Sequence, residues 1–473
     1  MLFAGSGFPL IGMVSIDRGN AWAHVRDAPE WLLQCLARHL AVPINPTVAQ
    51  GVRFSRTFLH ADQWWGSMVW ADRLPAGLAA RAQAIARHYG LACDLRDTRA
   101  RPPQGYPWHS LSGVAWRPYQ ERAHAAAVEH GSGVIVAPPR AGKTLLQARL
   151  LDVLALPAIV LAPTVAIVAQ TYRRFAEIWG ADLVSRLDGD AADSERDPSR
   201  PIVVATIPSA LALPLEWWHT RQVLIFDEVH HSAADTWHSI NQRAEHIYHR
   251  YGYTGTHYRS GEDALAMHAV LGEVIADIPL VELISGGFLA VPRVIWMRHS
   301  KGKIKLPSGN NFPAIYKAGI AEYEPRNAAV VNIASALRDH GEPTIVLTRR
   351  RAHADLLGRE IADSIVVKGG EGPQTANAIR DFLAGRYSVL IGTTVIGEGV
   401  DLPRASALVY AAGGNGGVQM MQSYFRPLTG HSGKPIGRIY DLWDSHAEML
   451  RGQSEDRLRF AREQLGARYV YAT

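Results

Sequence analysis

A lysine and a threonine at the start of a predicted helix are the residues of this chain best suited to phosphate chemistry. Residues 134–144 read VIVAPPRAGKT, an apolar strand followed by Pro139, Arg140, Ala141, Gly142, Lys143 and Thr144. A phosphate loop combines backbone N–H groups at a helix N-terminus with a lysine for the β- and γ-phosphates and a hydroxyl for Mg²⁺. Only the second half of G-x-x-x-x-G-K-[ST] is matched here, since Ala137 replaces the first glycine. A plain strand–turn–helix connection is the alternative.

Two adjacent carboxylates favour the phosphate-loop interpretation. The segment VLIFDEVHH (223–231) is an apolar strand that ends in Asp227 and Glu228. An aspartate at a strand end can hold Mg²⁺ together with Thr144, and the neighbouring glutamate can orient and deprotonate an attacking water. Two predicted strands separate this pair from Lys143, a spacing that suits one nucleotide-binding α/β domain better than a solvated helix start.

Three other segments give weaker indications of a functional site. Histidines 230, 231, 238, 246 and 249 lack an HExxH pattern and a nearby cysteine, so a solvated helix face is preferred to a metal site. The glycines of GGNGGV (413–418) predict a flexible loop. The basic stretch RHSKGKIKLPSGNN (298–311) fits an exposed loop or a phosphate-backbone contact equally well.

Short apolar strands that alternate with helical patterns must position these residues. From about residue 117 onward, predicted strands lie at 134–137, 158–163, 202–207, 223–227, 344–348, 365–367, 389–394, 407–411 and 438–444. Several are apolar on both faces, which is typical of parallel strands covered by helices. Alternation of this kind predicts an α/β fold with two domains in series.

The composition of residues 1–108 differs from that of the rest of the chain. This stretch is rich in tryptophan and ends in the linker-like RARPPQGYP (99–107). It is interpreted as a small α+β accessory domain that binds DNA and can be removed without unfolding the remainder. The predicted boundaries are then 1–108, 109–288 and 289–473, the last with a C-terminal helix.

The composition limits the classes of protein to which the chain can belong. The 473 residues carry a net charge of +5, with a pI near 9.1, which permits a polyanionic partner without requiring one. The two cysteines, Cys35 and Cys93, suit a reducing cytosol and form no zinc or disulfide framework. Neither a signal peptide nor a membrane-spanning segment is expected.

The order of the motifs resembles that of superfamily 2 helicases and translocases of the DExH type. The matching segments are WRPYQ (116–120), APPRAGKT (motif I), LAPTVAIVAQ (161–170, motif Ia), VVATIPS (203–209), DEVH (227–230, motif II), YGYTGTHYR (251–259, motif III), TIVLTRRRAHADLL (344–357, motif IV), IGTTVIGEGVDLP (391–403, motif V) and QSYFRPLTG (422–430, motif VI). Details of motifs III and VI are similar to those of bacteriophage branch-migration helicases and XPB-like repair translocases.

The resemblance implies two tandem RecA-like domains with parallel sheets and a set of residue roles. Gln120 would read adenine, Lys143 would contact the phosphates, Thr144 and Asp227 would hold Mg²⁺, and Glu228 would act as the base. His230, Thr254, Thr256 and Gln422 would couple nucleotide state to movement, while Gly399 and Asp401 would lie at the interdomain cleft. ATP and Mg²⁺ are the implied cofactors.

Motif VI departs most from the family pattern Gln-x-x-Gly-Arg-x-x-Arg. Phe425 replaces the glycine and Thr429 replaces the second arginine, which leaves Arg426 as the predicted arginine finger. Arg349, Arg350 and Arg351 after the motif IV strand are the next candidates.

The resulting expectation is an ATP-dependent DNA helicase or translocase that acts as a monomeric motor on single-stranded, duplex or branched DNA. Three alternatives stay open: an RNA helicase, a nucleic-acid-gated ATPase switch or clamp that does not unwind, and the motor subunit of a nuclease complex. A cytoplasmic location in a bacterium or a phage-infected cell is expected, without a membrane partner.

Overall fold

A computed structural model describes most of the chain. The described residues are 13–43, 56–60, 63–103, 105, 111, 114–228, 234–255, 262–299, 303–307, 311–367, 373–393, 402–428 and 435–472. They divide into two compact units, one of Met1–Pro138 with Gly142–Ile278, the other of Pro139–Ala141 with Pro279–Thr473. Within the described residues, no helix combines the length and apolar character that a membrane crossing requires.

The N-terminal part of the first unit has an α+β structure, as predicted. Its elements are β1 (Val14–Arg18), β2 (Trp22–Arg26), α1 (Glu30–His39), β3 (Ala41–Pro43), β4 (Arg56–His60), β5 (Gln63–Ser67), β6 (Arg73–Pro75), α2 (Ala79–His88) and β7 (Cys93–Asp97). A four-stranded sheet has the order β6-β2-β1-β7, and a three-stranded antiparallel sheet has the order β3-β5-β4.

The remainder of the first unit is built on a seven-stranded parallel sheet. Its elements are α3 (Pro118–His130), β8 (Ser132–Val136), α4 (Lys143–Leu154), β9 (Ala158–Ala162), α5 (Val165–Trp179), β10 (Val184–Leu187), β11 (Ile202–Thr206), α6 (Ile207–Leu211), α7 (Leu215–Trp218), β12 (Val223–Asp227), α8 (Ala234–Arg243), β13 (His249–Thr254), α9 (Glu262–Leu271) and β14 (Val274–Asp277). The strand order is β10-β11-β9-β12-β13-β8-β14, and every pairing is parallel.

The second unit contains another seven-stranded parallel sheet. Its elements are α10 (Leu280–Ser285), β15 (Val291–Arg298), α11 (Phe312–Tyr316), α12 (Glu324–Asp339), β16 (Thr344–Thr348), α13 (Arg351–Glu360), β17 (Ser364–Val367), α14 (Pro373–Leu383), β18 (Val389–Thr393), β19 (Ala407–Tyr410), α15 (Val418–Tyr424), β20 (Ile436–Trp443), α16 (Glu448–Leu465) and β21 (Val470–Ala472). The order is β17-β18-β16-β19-β20-β15-β21. The predicted pair of tandem RecA-like sheets is confirmed.

The apolar runs found in the sequence became central strands because both faces of each sheet are covered. All five residues of β8, β9, β11 and β12 are buried, and the same holds for β16 and β18. A strand buried on both sides has to be apolar along its whole length, so it appears as a continuous run rather than an alternating one. This is why hydropathy alone located these strands.

The histidine-rich region differs from its predicted structure. His249 lies in β13, not on a solvated helix face, and its side chain is buried, with Nδ1 hydrogen-bonded to the hydroxyl of Tyr251. Burial lowers the pKa of His249 to about 4, so this side chain is neutral at physiological pH. His246 is partly buried, and its Nε2 pairs with the carbonyl oxygen of Arg221. Both histidines therefore have structural partners.

The N-terminal elements share a hydrophobic core with the first parallel sheet. One continuous cluster includes Ile16 and Leu78 from the N-terminal part together with Met267 and Leu271 from α9. Three polar contacts cross the same boundary: Arg18 donates to Ser132 Oγ at 2.6 Å, Asn20 to the carbonyl of His246 at 2.9 Å, and Arg81 to Glu273 at 2.9 Å. The composition break near residue 108 therefore does not coincide with a gap in packing, and removal of residues 1–108 would expose apolar surface on α9.

A single added methyl group at Gly77 tests this shared core. Its Cβ would lie 2.0 Å from the carbonyl oxygen of His268 and 2.8 Å from the amide nitrogen of Gly272, both main-chain atoms at the end of α9. Overpacking of this kind costs about 1–3 kcal/mol, so we expect Gly77→Ala to lower the melting temperature by roughly 3–8 °C.

Gly189→Ala is the matched control, because a Cβ at Gly189 meets nothing within 4 Å. Both variants are compared with the parent chain by thermal unfolding. Equal melting temperatures for the two variants would contradict a shared core.

Candidate active site

The strand order brings three functional segments to one edge of the first parallel sheet. Strand β13 lies between β12 and β8, so Asp227 at the end of β12, Thr254 at the end of β13 and the loop after β8 are neighbours. A backbone hydrogen bond of 2.8 Å, from the amide of Ala137 to the carbonyl of Thr254, joins the phosphate-loop segment to motif III. Ligands of open α/β sheets bind beyond the carboxyl ends of the strands, which is where these segments meet.

The loop after β8 has the backbone geometry of a tight turn into a helix. Gly142 is the N-cap of α4 with φ +86° and ψ +39°, a left-handed conformation that favours glycine. A Cβ at this position would lie 2.6 Å from Nε2 of Gln120, so a side chain there would displace the amide group of Gln120. Arg140 also has a positive φ of 74°, which is uncommon outside glycine.

Gln120 is held against this loop by the start of its own helix. It is buried at the third position of α3, and its Oε1 accepts a hydrogen bond from the amide of Arg117 at 3.1 Å. The side chain predicted to read adenine is therefore fixed next to the glycine of the phosphate loop.

Lys143 and Glu228 form a short ion pair at the same edge of the sheet. Lys143 Nζ lies 2.7 Å from Glu228 Oε1, with the two side chains only 12% and 13% exposed. Glu228 directly follows β12 and has a left-handed φ of 49°. A non-glycine residue in this conformation is strained, and such strain is concentrated at functional sites. The turn at Glu228 directs its carboxylate toward Lys143, the lysine of the predicted phosphate loop.

The neighbouring carboxyl of Asp227 is buried and electrostatically perturbed. Burial, and then the negative charge of Glu228, raise the pKa of Asp227 to about 6, while Lys143 acts in the opposite direction. Two carboxylates beside one lysine leave a net negative charge, for which a cation is the natural partner. Perturbed acids of this kind cluster at catalytic sites.

The oxygen donors at this edge fit Mg²⁺ bound together with a nucleotide. Asp227 supplies a carboxylate, and Thr144 supplies a hydroxyl from the first turn of α4. Mg²⁺ prefers such hard oxygen ligands and is usually held by few protein groups plus phosphate oxygens. The backbone N–H groups at the start of α4, including those of Lys143 and Thr144, suit the phosphates themselves.

The predicted motif VI residues lie in the second unit. Gln422 is part of α15, and Arg426 begins a buried 3₁₀ turn, Arg426–Leu428, that follows it. Phe425, which replaces the usual glycine, is buried, so the larger side chain fills the interior of this unit. Four predicted site residues, His230, Thr256, Gly399 and Asp401, lie outside the described residues, as does Thr429.

Sequence reasoning missed two features of this site. The left-handed conformation of Glu228 and the backbone bond between Ala137 and Thr254 are not encoded by residue type or spacing. The DE dipeptide after an apolar strand was the available signal for the first feature. No local signal existed for the second, because it depends on which strands are neighbours.

Two family profiles match the chain on the segments described above. Residues 113–259 match the family described as type III restriction enzyme, res subunit, and residues 326–423 match the helicase conserved C-terminal domain. The first match contains the predicted phosphate loop, Asp227 and Glu228, and the second contains Gln422. The two matches occur in the order that the motifs predicted.

Individual proteins give a consistent comparison. The chain is similar to DNA 3'-5' translocase XPB2 of Sulfurisphaera tokodaii, with 23% identity over 80% of this chain and 93% of that protein. It is also similar to the ATP-dependent DNA helicase uvsW of Enterobacteria phage T4, with 22% identity over 69% of this chain and 68% of that protein.

Among solved structures, a fragment of a putative HsdR subunit of a type I restriction enzyme from Vibrio vulnificus shares the fold. The TM-score is 0.53 at 20% identity, and the superposition covers 77% of this chain and 68% of that one.

Proposed function

We propose that this chain, a superfamily 2 helicase or translocase, is an ATP-dependent motor that moves along DNA or separates its strands. The observation that carries this function is the ion pair of 2.7 Å between Lys143 and Glu228 beside the buried Asp227. This arrangement provides a cation for the phosphates, a ligand for Mg²⁺ and a base for water within one edge of a sheet.

The residues of the first unit divide the chemistry of hydrolysis among them. Lys143 and the backbone N–H groups at the start of α4 bind the phosphates, while Asp227 and Thr144 hold Mg²⁺. When bound, Mg²⁺ neutralises charge on the phosphate oxygens. Once Lys143 has turned to the phosphates, the carboxylate of Glu228 is released to orient water and accept its proton.

The remaining assignments rest on the family resemblance and on position. Gln120 reads adenine next to the phosphate loop, with Pro139, Arg140, Ala141 and Gly142 forming that loop. Thr254 transmits nucleotide state through its backbone bond to Ala137. The same family pattern gives coupling roles to His230, Thr256 and Gln422, and nucleotide contacts to Gly399 and Asp401. The proposed domains are 1–108, 109–288 and 289–473.

DNA is the proposed substrate because the similar proteins are named for it. The names of the Sulfurisphaera tokodaii translocase and of the phage T4 helicase both include DNA. A net charge of +5 is compatible with a polyanionic track. The strand is held mainly through its phosphates, so little sequence preference is expected. The proposed motor acts as a monomer in the cytoplasm.

The test measures ATP hydrolysis in parallel with single-stranded, duplex, forked and four-way DNA and with matching RNA. Stimulation by DNA above that by RNA supports the proposal, and the reverse order favours an RNA helicase. Strand displacement on forks with a 3' or a 5' tail is assayed beside it. Stimulated hydrolysis without displacement, and without movement along duplex DNA, would identify a switch or clamp.

A motor subunit of a nuclease complex is the second candidate. It is favoured by the match of residues 113–259 to a restriction-enzyme subunit family. Cleavage of DNA by the purified chain or by a co-purifying partner would distinguish it from a free motor.

Arg426→Ala is expected to lower the maximal ATPase rate at least about 100-fold. An arginine finger stabilises charge that develops on the γ-phosphate and contributes roughly 10³-fold or more. Thr429 cannot supply a second positive charge, so Arg426 carries the effect alone. Because the finger acts mainly in the transition state, ATP affinity should change by only about a few-fold.

The control for this variant is Arg451→Ala, which removes an arginine that is 54% exposed on α16 of the same unit. A normal turnover number for Arg426→Ala would transfer the finger role to another arginine. Arg349, Arg350 and Arg351, which follow the motif IV strand, are then the next to test.

A further inference from the structure

One buried arginine of the C-terminal helix is linked to both ends of the segment that precedes Arg426, to one end directly and to the other through Asp441. Arg457 lies on α16, and its side chain is fully buried. Its Nη1 donates to the carbonyl oxygen of Gly414 at 2.5 Å, just before α15. Its Nε donates to Asp441 Oδ2 at 3.1 Å, and the hydroxyl of Tyr424, the last residue of α15, donates to the same oxygen at 2.5 Å.

Further hydrogen bonds hold Asp441 in this arrangement. Its Oδ1 accepts from Arg457 Nη2 at 3.2 Å and from the amide of Leu442 at 2.6 Å, and the side chain is fully buried in β20. Burial raises the pKa of Asp441, and Arg457 and Tyr424 oppose that change. A buried carboxylate is stable only when its oxygens are paired, so loss of either partner is costly.

Three glycines of GGNGGV, Gly413, Gly414 and Gly416, are packed against neighbouring residues, whereas the sequence predicted a flexible loop. Gly414 has a φ of +84°, and a Cβ there would lie 2.4 Å from Nη2 of Arg349. A Cβ at Gly416 would lie 2.8 Å from the carbonyl of Asp456 and 3.1 Å from Cα of Arg457. The loop therefore lies directly on α16 and leads into α15 from a defined position.

A neighbouring acid and two histidines belong to the same network rather than to a metal site. His299, Asp444 and His446 place ligand-type atoms within 4.8 Å of one another. Arg326 donates to Asp444 Oδ1 at 2.7 Å, and Arg457 donates to Asp444 Oδ2 at 3.2 Å. Two arginines already neutralise this carboxylate, so a divalent cation beside them would be repelled. The arginines lower the pKa of Asp444, against the effect of its burial.

We infer that Arg457, with Asp441 and Tyr424, positions the motif VI segment, Val418–Leu428, for ATP turnover. Arg457 holds Gly414 at the entrance to α15, and Asp441 holds Tyr424 at its exit, two residues before Arg426. A displacement of about 1 Å can cost roughly 10²-fold in rate when a group must meet a transition state. The inference rests on the proposed function. It means that α16 supports catalysis through Arg457 on its buried face.

The mildest test is Tyr424→Phe, which keeps the ring and deletes only the bond to Asp441. We expect kcat for ATP to fall about 10-fold while KM changes by less than about 3-fold, because the segment acts in the transition state. In hydrogen exchange, the backbone amides of residues 418–428 should lose protection.

Arg457→Lys keeps the positive charge but loses the forked guanidinium group that reaches Gly414 and Asp441 together, so its effects on kcat and on exchange should be larger.

Two control variants separate positioning from general loss of stability. Arg459→Lys changes an arginine that is 65% exposed on the same helix and should leave kcat unaltered. Val330→Ala removes buried apolar volume from α12 and should lower the melting temperature without changing kcat at temperatures where both proteins are folded.

A double-variant cycle shows whether the network acts through Arg426. In the Arg426→Ala background, Tyr424→Phe should cause almost no additional fall in kcat, since the group being positioned is absent. If the losses of kcat in the two single variants add up in the double variant, the inference is wrong. It is also wrong if Tyr424→Phe leaves kcat unchanged, whatever the hydrogen exchange of residues 418–428 shows. A parent chain without any ATPase activity refutes the proposed function instead, and the exchange measurement then decides by itself whether the network holds this segment.

Discussion

Lys143→Ala is expected to reduce nucleic-acid-stimulated ATP hydrolysis by at least about 10³-fold. A neutral hydrogen-bond donor at a developing negative charge contributes roughly 10²–10³-fold, and a full positive charge in a partly buried site contributes more. Lys143 also neutralises Glu228, from which it is separated by 2.7 Å. Its removal leaves Asp227 and Glu228 as adjacent negative charges facing the phosphates.

The variant also changes the ionisation of the site in a defined direction. Lys143 lowers the pKa of Asp227, which burial and Glu228 raise to about 6. Without the lysine, that pKa rises further, so a larger fraction of Asp227 is protonated near neutral pH. A protonated aspartate is a poor ligand for Mg²⁺, and the loss of activity should therefore be greater at pH 6 than at pH 8.

Steady-state hydrolysis at saturating single-stranded DNA, over this pH range, measures both effects. Lys317→Ala is the matched control, because that lysine is 69% exposed and lies in the second unit. Circular dichroism confirms that each variant is folded. Near-normal hydrolysis by Lys143→Ala would show that the loop after β8 is not a phosphate loop.

Glu228→Gln is expected to bind ATP and stall, with a fall in turnover of about 10²–10⁴-fold. A general base contributes an effect of this size, and glutamine keeps the shape of the side chain but cannot take up a proton. Because the charge of Glu228 raises the pKa of Asp227, its removal lowers that pKa and leaves Asp227 more fully ionised. Affinity for ATP with Mg²⁺ should therefore be equal to that of the parent chain or higher.

Asp227→Asn is the informative comparison. It removes a charge from the neighbouring position and should weaken binding of ATP with Mg²⁺, since it alters the metal ligand. Equilibrium binding of a fluorescent ATP analogue, with and without Mg²⁺, distinguishes the two variants, and a single-turnover measurement supplies the rate. Weaker binding by Glu228→Gln than by Asp227→Asn would mean that the two roles are exchanged.

The hydropathy pattern located most of the strands that lie inside the two sheets, but it missed β13 and β15, which contain polar residues. The hydropathy pattern did not reveal β13 because His249 and Arg250 are polar yet buried, with hydrogen-bond partners within the same unit. β14 and β21 lie at sheet edges, where one side of a strand is unpaired and the demand for apolar residues is weaker. Their composition therefore does not separate them from loops.

The sequence by itself predicted the phosphate loop and the carboxylate pair, and it determined the order of the motifs. Chemistry constrains these features locally: a phosphate loop needs Gly142, Lys143 and Thr144 as neighbours, and a strand buried on both faces must be an apolar run.

Only the tertiary structure decided which of these segments meet and how they are held. The position of β13 between β12 and β8 follows from strand pairing, which joins residues far apart in the chain. Arg457 pairs with Gly414 across 43 positions and with Asp441 across 16, and neither separation has a periodicity that a sequence pattern could reveal. The left-handed conformation of Glu228 and its ion pair with Lys143 likewise follow from contacts that only the folded chain supplies.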